Sequence, residues 1–242
     1  IMALPKIDVP IYEIDLPLSK KHIRFRPFLV KEQRNLMMAM EANDTETIEK
    51  NIKQVLHNCT LTENIDIESL PIIDVEFYFL NLRARSVGEI VESKYRCENE
   101  VNGAKCGNLM DSSVNLLDIK VDMSNSPDSN IQLTDKISIG MKYPEFSILE
   151  RSNKFDNATD MAFDMIVESV DYIFDGEQYY YAKETSPDEL VEFIETLNQE
   201  QFAKIEEFFN NLPKLDKKLE LTCKKCNFHH TIEVEGLESF FG

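Results

Sequence analysis

The chain has no tryptophan, only 7 glycines, and 26 basic residues against 44 acidic ones. Each shortage excludes something. None of the glycines falls in a Gly-x-Gly-x-x-Gly or Walker-type run, so there is no phosphate-cradling loop. A formal net charge of −18 leaves too few cations to displace counterions from nucleic-acid phosphates or to hold an anionic lipid surface. No apolar run reaches the ~20 residues needed to span a bilayer, and no charged-then-apolar leader opens the sequence. The expected location is therefore a cytoplasm. Ile1, ahead of Met2, is set outside the fold. A nucleophile elbow and an HExxH helix are also missing, and no pair of carboxylates stands out from solvated helix faces. The expectation is a protein without catalysis.

What is present is a core-forming composition. Of 242 residues, 43% are hydrophobic and 10% aromatic, mostly phenylalanine, enough apolar surface for a substantial interior. The pattern predicts an α+β chain of helices and antiparallel strands. Residues 6–17 and 22–28 alternate as two strands, the first bearing Pro10 and Pro17 as an edge strand does. Helices follow over 30–42, 45–59 and 72–86, the last with Val75, Phe79 and Leu82 on one face and Arg83 and Arg85 toward its carbonyl end. Strands are predicted over 89–96, 113–121 and 131–139. A helix over 158–171 leads to Asp175-Gly176, a hairpin signal. Ser186-Pro187-Asp188-Glu189 and Asn198 with Gln201 open two further helices as capping boxes, and Pro213 ends the second.

Five cysteines in a chain without a secretion signal point to metal rather than disulfides. Cys223-Lys-Lys-Cys226 lies between strand-like runs at 218–222 and 228–234, the setting of a zinc knuckle that supplies half a tetrahedral shell. Cys97 and Cys106 occupy a comparable place between strands, eight residues apart rather than two, and read as a knuckle with a loop inserted. Gly107, directly after Cys106, suits the positive φ such a turn needs. Together Cys97, Cys106, Cys223 and Cys226 predict one structural zinc per chain. Four thiolates close the shell, leaving no position for catalysis. The competing readings are a redox CxxC, which lacks the strand-to-helix context, free buried cysteines, and a Cys₂His₂ site using His229 or His230. Those histidines read more simply as a solvent-facing and a half-buried strand residue. Cys59 ends an apolar helix stripe and reads as core.

Sharing one metal makes the ribbon discontinuous. The expected organisation is residues 2–88 as N-terminal strands plus helices, 89–121 with 217–236 as the zinc-ribbon-like element, and 122–216 as an inserted α+β region. Residues 237–242, with Phe240 and Phe241, form a docking tail, because an apolar terminus buries its rings somewhere.

The order of these features is distinctive: IRFRPF, then a Met/Leu helix with Lys31, Glu32 and Gln33, a cysteine pair, KYP, FFNNLPKL, CxxC and GLESFFG. It resembles the baseplate hub subunit and hub assembly family of T-even-type tailed bacteriophages, over nearly the whole chain. The expanded first knuckle departs from a tidy CxxC. The resemblance implies a baseplate component or chaperone-like assembly factor of the contractile-tail hub. Its partners would be hub or tape-measure proteins or a second copy of the chain, without nucleic acid or membrane, in the host cytoplasm or the virion baseplate. The alternative is a zinc-ribbon nucleic-acid or transcription module, for which the knuckle itself offers only the basic pair Lys224 and Lys225.

Overall fold

The computed structural model describes residues 7–42, 45–152, 155 and 157–235. The fold is mixed α+β, with small antiparallel sheets distributed along the chain. β1 (Tyr12–Asp15) and β2 (His22–Phe25) pair as a hairpin. Three helices follow: α1 (Val30–Ala42), α2 (Thr45–Cys59) and α3 (Ile72–Val87). β3 (Ile90–Arg96) pairs with β6 (Leu109–Asn115), and between them lies the miniature hairpin β4 (Glu100–Val101) and β5 (Ala104–Lys105). A 3₁₀ turn at Leu116–Asp118 leads to β7 (Lys120–Asp122), the edge of a three-stranded sheet completed by β12 (Lys214–Thr222) and β13 (His229–Glu235).

A four-stranded sheet lies between β7 and β12 in sequence. Its strands are β8 (Asn130–Gln132), β9 (Ser138–Met141), β10 (Val170–Phe174) and β11 (Tyr179–Tyr181), ordered β11-β10-β9-β8. α4 (Ser147–Ser152) and α5 (Ala158–Glu168) connect β9 to β10, and α6 (Pro187–Glu195) and α7 (Gln199–Asn210) follow β11. Both predicted capping boxes form. Ser186 and Glu189 exchange bonds at the start of α6, with Pro187 in its first turn, and Asn198 and Gln201 do the same at α7.

Several expectations differ from the structure. Among the described residues, the strand expected over 6–17 is regular only at Tyr12–Asp15, and the helix expected over 158–171 ends at Glu168, with Val170 opening β10. The run 131–139 is two strands rather than one, because the Thr134 hydroxyl accepts from the N–H groups of Lys136 and Ile137 and folds the chain back. The strand expected over 113–121 begins at Leu109 and breaks after Asn115, whose side chain accepts from the Leu117 N–H and winds the 3₁₀ turn. The short helix α4 carries too little periodicity to be seen in sequence.

Helix α3 is the hub of the packing. Val75, Tyr78, Phe79 and Leu82 enter a core with Ile23, Phe25, Leu56 and Cys59, while Leu80 and Ala84 enter a second with Val114, Leu116 and Leu215. A helix buried on two sides tolerates few polar groups, and Asp74 is one that is satisfied. Asp74, fully buried, accepts the Leu18 and Ser19 N–H groups, each at 2.8 Å, and pins the β1–β2 turn. A third core joins Ile139, Ile166 and Ile173 to Leu190, Ile194, Ile205 and Phe208, so α5 to α7 cover one face of the four-stranded sheet.

Burial on α3 pushes the Glu76 carboxyl up to about 7 from an ordinary 4.5. The folded chain therefore holds this proton more tightly than the unfolded chain, and stability falls as pH rises from 4.5 toward 7. Glu76→Gln should raise the melting temperature at about pH 8, with the gain shrinking as pH falls through that window. A gain independent of pH contradicts the assignment.

Candidate metal centre

The β3–β6 and β12–β13 hairpins meet at their tips, and each tip is closed by the same two backbone hydrogen bonds. In the second, the Cys223 N–H donates to the Phe228 carbonyl at 2.9 Å and the Asn227 N–H to the Cys223 carbonyl at 2.8 Å. In the first, the Cys97 N–H donates to the Asn108 carbonyl at 2.8 Å and the Gly107 N–H to the Cys97 carbonyl at 3.0 Å. The residue after each second cysteine is left-handed, Gly107 at φ +65° and Asn227 at φ 56°. The extra residues of the first knuckle are gathered into the β4–β5 hairpin, whose turn residues Asn102 and Gly103 have φ of 55° and 79°. The insertion thus leaves the knuckle closed as in the short one.

This pairing sets Cys97 Sγ 3.6 Å from Cys226 Sγ and Cys106 Sγ 3.8 Å from Cys223 Sγ, and all four sulfurs lie within 4.8 Å of one another. A disulfide would need about 2.05 Å, so these are free thiols. Around an ion bound at about 2.3 Å, the edge of a sulfur tetrahedron is about 3.8 Å, and the observed separations fit it. Cys97 and Cys223 are fully buried, with Met110, Tyr95 and Leu221 packed around the cluster. All four expected cysteines come together, from segments more than a hundred residues apart.

Polar side chains aim at three of the four sulfurs. Asn108 Nδ2 donates to Cys223 Sγ at 3.5 Å, Asn99 Nδ2 to Cys226 Sγ at 3.6 Å, and His230 Nε2, when it carries the proton, to Cys97 Sγ at 3.2 Å. Burial pushes the Cys97 thiol up to about 12. At Cys223 burial pushes the same way, but the N–H groups of Cys226 and Lys225 aim at its sulfur and bring it down to about 6. Such an arrangement suits a soft, thiophilic cation.

His229 is exposed and reaches Thr222, and neither histidine replaces a cysteine as a member of the four-residue group. The contact of His230 with Cys97 was not foreseen. The signal was there: Phe228, His230 and Ile232 alternate onto one side of the strand, and two of them pack together, Phe228 against the His230 ring at 4.8 Å. Cys59 is fully buried core, remote from this cluster. Residues 237–242, including Phe240 and Phe241, lie outside the described residues. Among the described residues no helix is long and apolar enough to cross a membrane.

Because the β4–β5 hairpin is appended to a closed knuckle, replacing residues 98–105 by Lys-Lys should preserve metal content. It should lower the melting temperature by only a few degrees, as loss of a surface hairpin does. Loss of the metal would show that the insertion belongs to the site.

The comparisons with known proteins span both cysteine pairs. No solved structure matches the chain. Over 231 residues it is 22% identical to the "Baseplate hub assembly protein gp26" of Enterobacteria phage T4, across 95% of this chain and 97% of that protein. The family described as T4 bacteriophage base plate protein matches residues 9–242, nearly the full length, and the chain belongs to that family.

Proposed function

We propose that this chain is a non-enzymatic assembly factor or component of the phage tail baseplate hub, held in shape by one structural zinc ion. The reading is carried by the family match over residues 9–242, supported by near-complete coverage of a relative named as a hub assembly protein. Its partners are other hub or tape-measure proteins, met in the host cytoplasm during assembly. Zinc, held by Cys97, Cys106, Cys223 and Cys226, would act as a clip between two hairpins, and four thiolates leave no open position for substrate. Structural zinc contributes on the order of 10 kcal/mol to small metal domains, comparable to the stability of a whole domain. The nucleic-acid reading gains no support: Lys225 is bonded to the Cys106 carbonyl at 3.2 Å, and the charge of −18 is unchanged by folding.

Coexpression with hub and tape-measure proteins, followed by copurification, tests the partner assignment; no association with any of them overturns it. Elemental analysis should give close to one zinc per chain. Cys223→Ser should lose the metal and lower the melting temperature markedly. Cys59→Ser should keep the metal, with a core cost of about 1–2 kcal/mol. Fully folded protein devoid of metal refutes the zinc assignment.

Residues 237–242 are assigned as a docking element, with Phe240 and Phe241 contributing roughly 2–3 kcal/mol per ring when buried on a partner. Deleting them should leave the melting temperature unchanged and abolish copurification with hub proteins. A fall of several degrees on deletion would instead place the rings in the chain's own core.

A further inference from the structure

The face of the four-stranded sheet turned away from α5 to α7 carries an aromatic surface. Strand register puts Tyr172 beside Tyr181 and Phe174 beside Tyr179, and alternation sends these four side chains to one side. The rings form a continuous layer, with Phe174–Tyr179 at 4.6 Å, Tyr172–Tyr179 at 5.2 Å and Tyr179–Tyr181 stacked at 6.0 Å. The Tyr172 ring lies over Gly140, where an added Cβ would sit 2.3 Å from it, so that position must be glycine for the ring to lie down. Tyr179 and Tyr181 remain 54% and 42% exposed, although burying their rings is the ordinary use of aromatics. They belong to β11, an outer strand of the sheet that pairs on one side only among the described residues, with the Tyr181 carbonyl accepting from the Thr185 hydroxyl at 3.0 Å.

The electrostatics indicate what this surface accepts. Lys183 Nζ already stands over the Tyr181 ring, 5.3 Å from its centroid, so the layer receives a cation from its own chain. Exposed Asp171 lies on β10 and exposed Glu177 on the β10–β11 turn. Burial, then Tyr179 and the Asp171 and Asp128 carboxylates, push the Tyr172 hydroxyl above its ordinary value, which places acidic groups near this face. A strand added beside β11 would place every second side chain in line with Tyr179 and Tyr181.

We infer that β11 and its tyrosine face dock an extended, lysine- or arginine-bearing segment of a partner protein, paired as a fifth strand with its cations on the rings of Tyr179 and Tyr181. This refines the partner-binding role proposed above by giving the chemistry of one partner segment.

The test is titration of the full chain with a synthetic peptide alternating lysine and valine, and with its glutamate–valine counterpart. The readout is intrinsic tyrosine fluorescence, undisturbed because the chain has no tryptophan. The lysine peptide should bind saturably and more weakly as salt rises, and the glutamate peptide should not bind. Tyr179→Leu with Tyr181→Leu keeps apolar bulk but removes the π faces, and should weaken binding about tenfold at unchanged melting temperature, whereas the paired Phe substitutions should retain it. Lys183→Ala, at an exposed position, removes the resident cation and should tighten binding severalfold. No saturable response to the lysine peptide, an equal response to both peptides, or unweakened binding by the leucine variant overturns the inference. If the leucine variant melts lower, Lys183→Ala decides, and unchanged or weaker binding overturns it. Retained copurification with hub proteins alongside such a failure removes this surface and leaves the hub reading standing.

Discussion

The convergence of four sulfurs from two hairpin tips is the constraint on which the rest of the architecture turns. Cys106 and Cys223 are 117 positions apart in the chain, and Cys97 and Cys226 129. Bringing such distant points together costs loop-closure entropy, but that cost grows only logarithmically with length. A large insertion is therefore tolerated once the closing interaction is strong. Ordinary apolar contacts at the tips, chiefly Met110 and Leu221, are few. The proposed thiolate–metal centre would supply a strong local bond there in place of a broad hydrophobic interface.

Around that closure, burial is shared between helix and sheet. Leu215, at the start of β12, enters the same core as Leu80 and Ala84 of α3 and Leu116 of the 3₁₀ turn. The returning strand is thus fixed at one end by apolar packing and at the other by the cysteines. The other side of α3 supports the N-terminal hairpin through Asp74 and the Phe25–Tyr78 ring contact at 5.4 Å. Glu32 shows how the same region handles charge: it is 2% exposed, and the Leu29 N–H and Arg26 hold its carboxylate below the usual range against the burial that would raise it. Charge at Glu32 and Asp74 is bound by partners, while at Glu76 burial favours the neutral form instead.

Much of this was legible in the sequence because the decisive signals were local. Capping boxes at Ser186 and Asn198, the Asp175-Gly176 turn and the CxxC each depend on residues within four positions of one another, where chain connectivity already fixes the geometry. The α+β class followed from periodicity. Illegible were features set by a single side chain redirecting the backbone, such as Thr134 splitting one apolar run into two strands or Asn115 winding the 3₁₀ turn. The donors Asn99, Asn108 and His230 were hidden for a different reason. Their role exists only once distant hairpins meet, and an asparagine in a loop has many commoner uses.

The surfaces left over by folding suit a protein whose work is association. Among its described side chains α1 buries only Glu32, Leu36 and Ala39 and leaves Met37 and Met38 more than half exposed. The tyrosine face lies on the opposite type of element, a sheet edge rather than a helix. Both present flexible or aromatic side chains, the kinds that adapt to or anchor a partner, and neither converges on a polar cluster that would bind and transform a small molecule. The thiols of Cys97 and Cys223, both buried and strongly perturbed, are turned toward the cysteine cluster. Groups placed in this way suit a structural role, and they lie where segments more than a hundred residues apart meet.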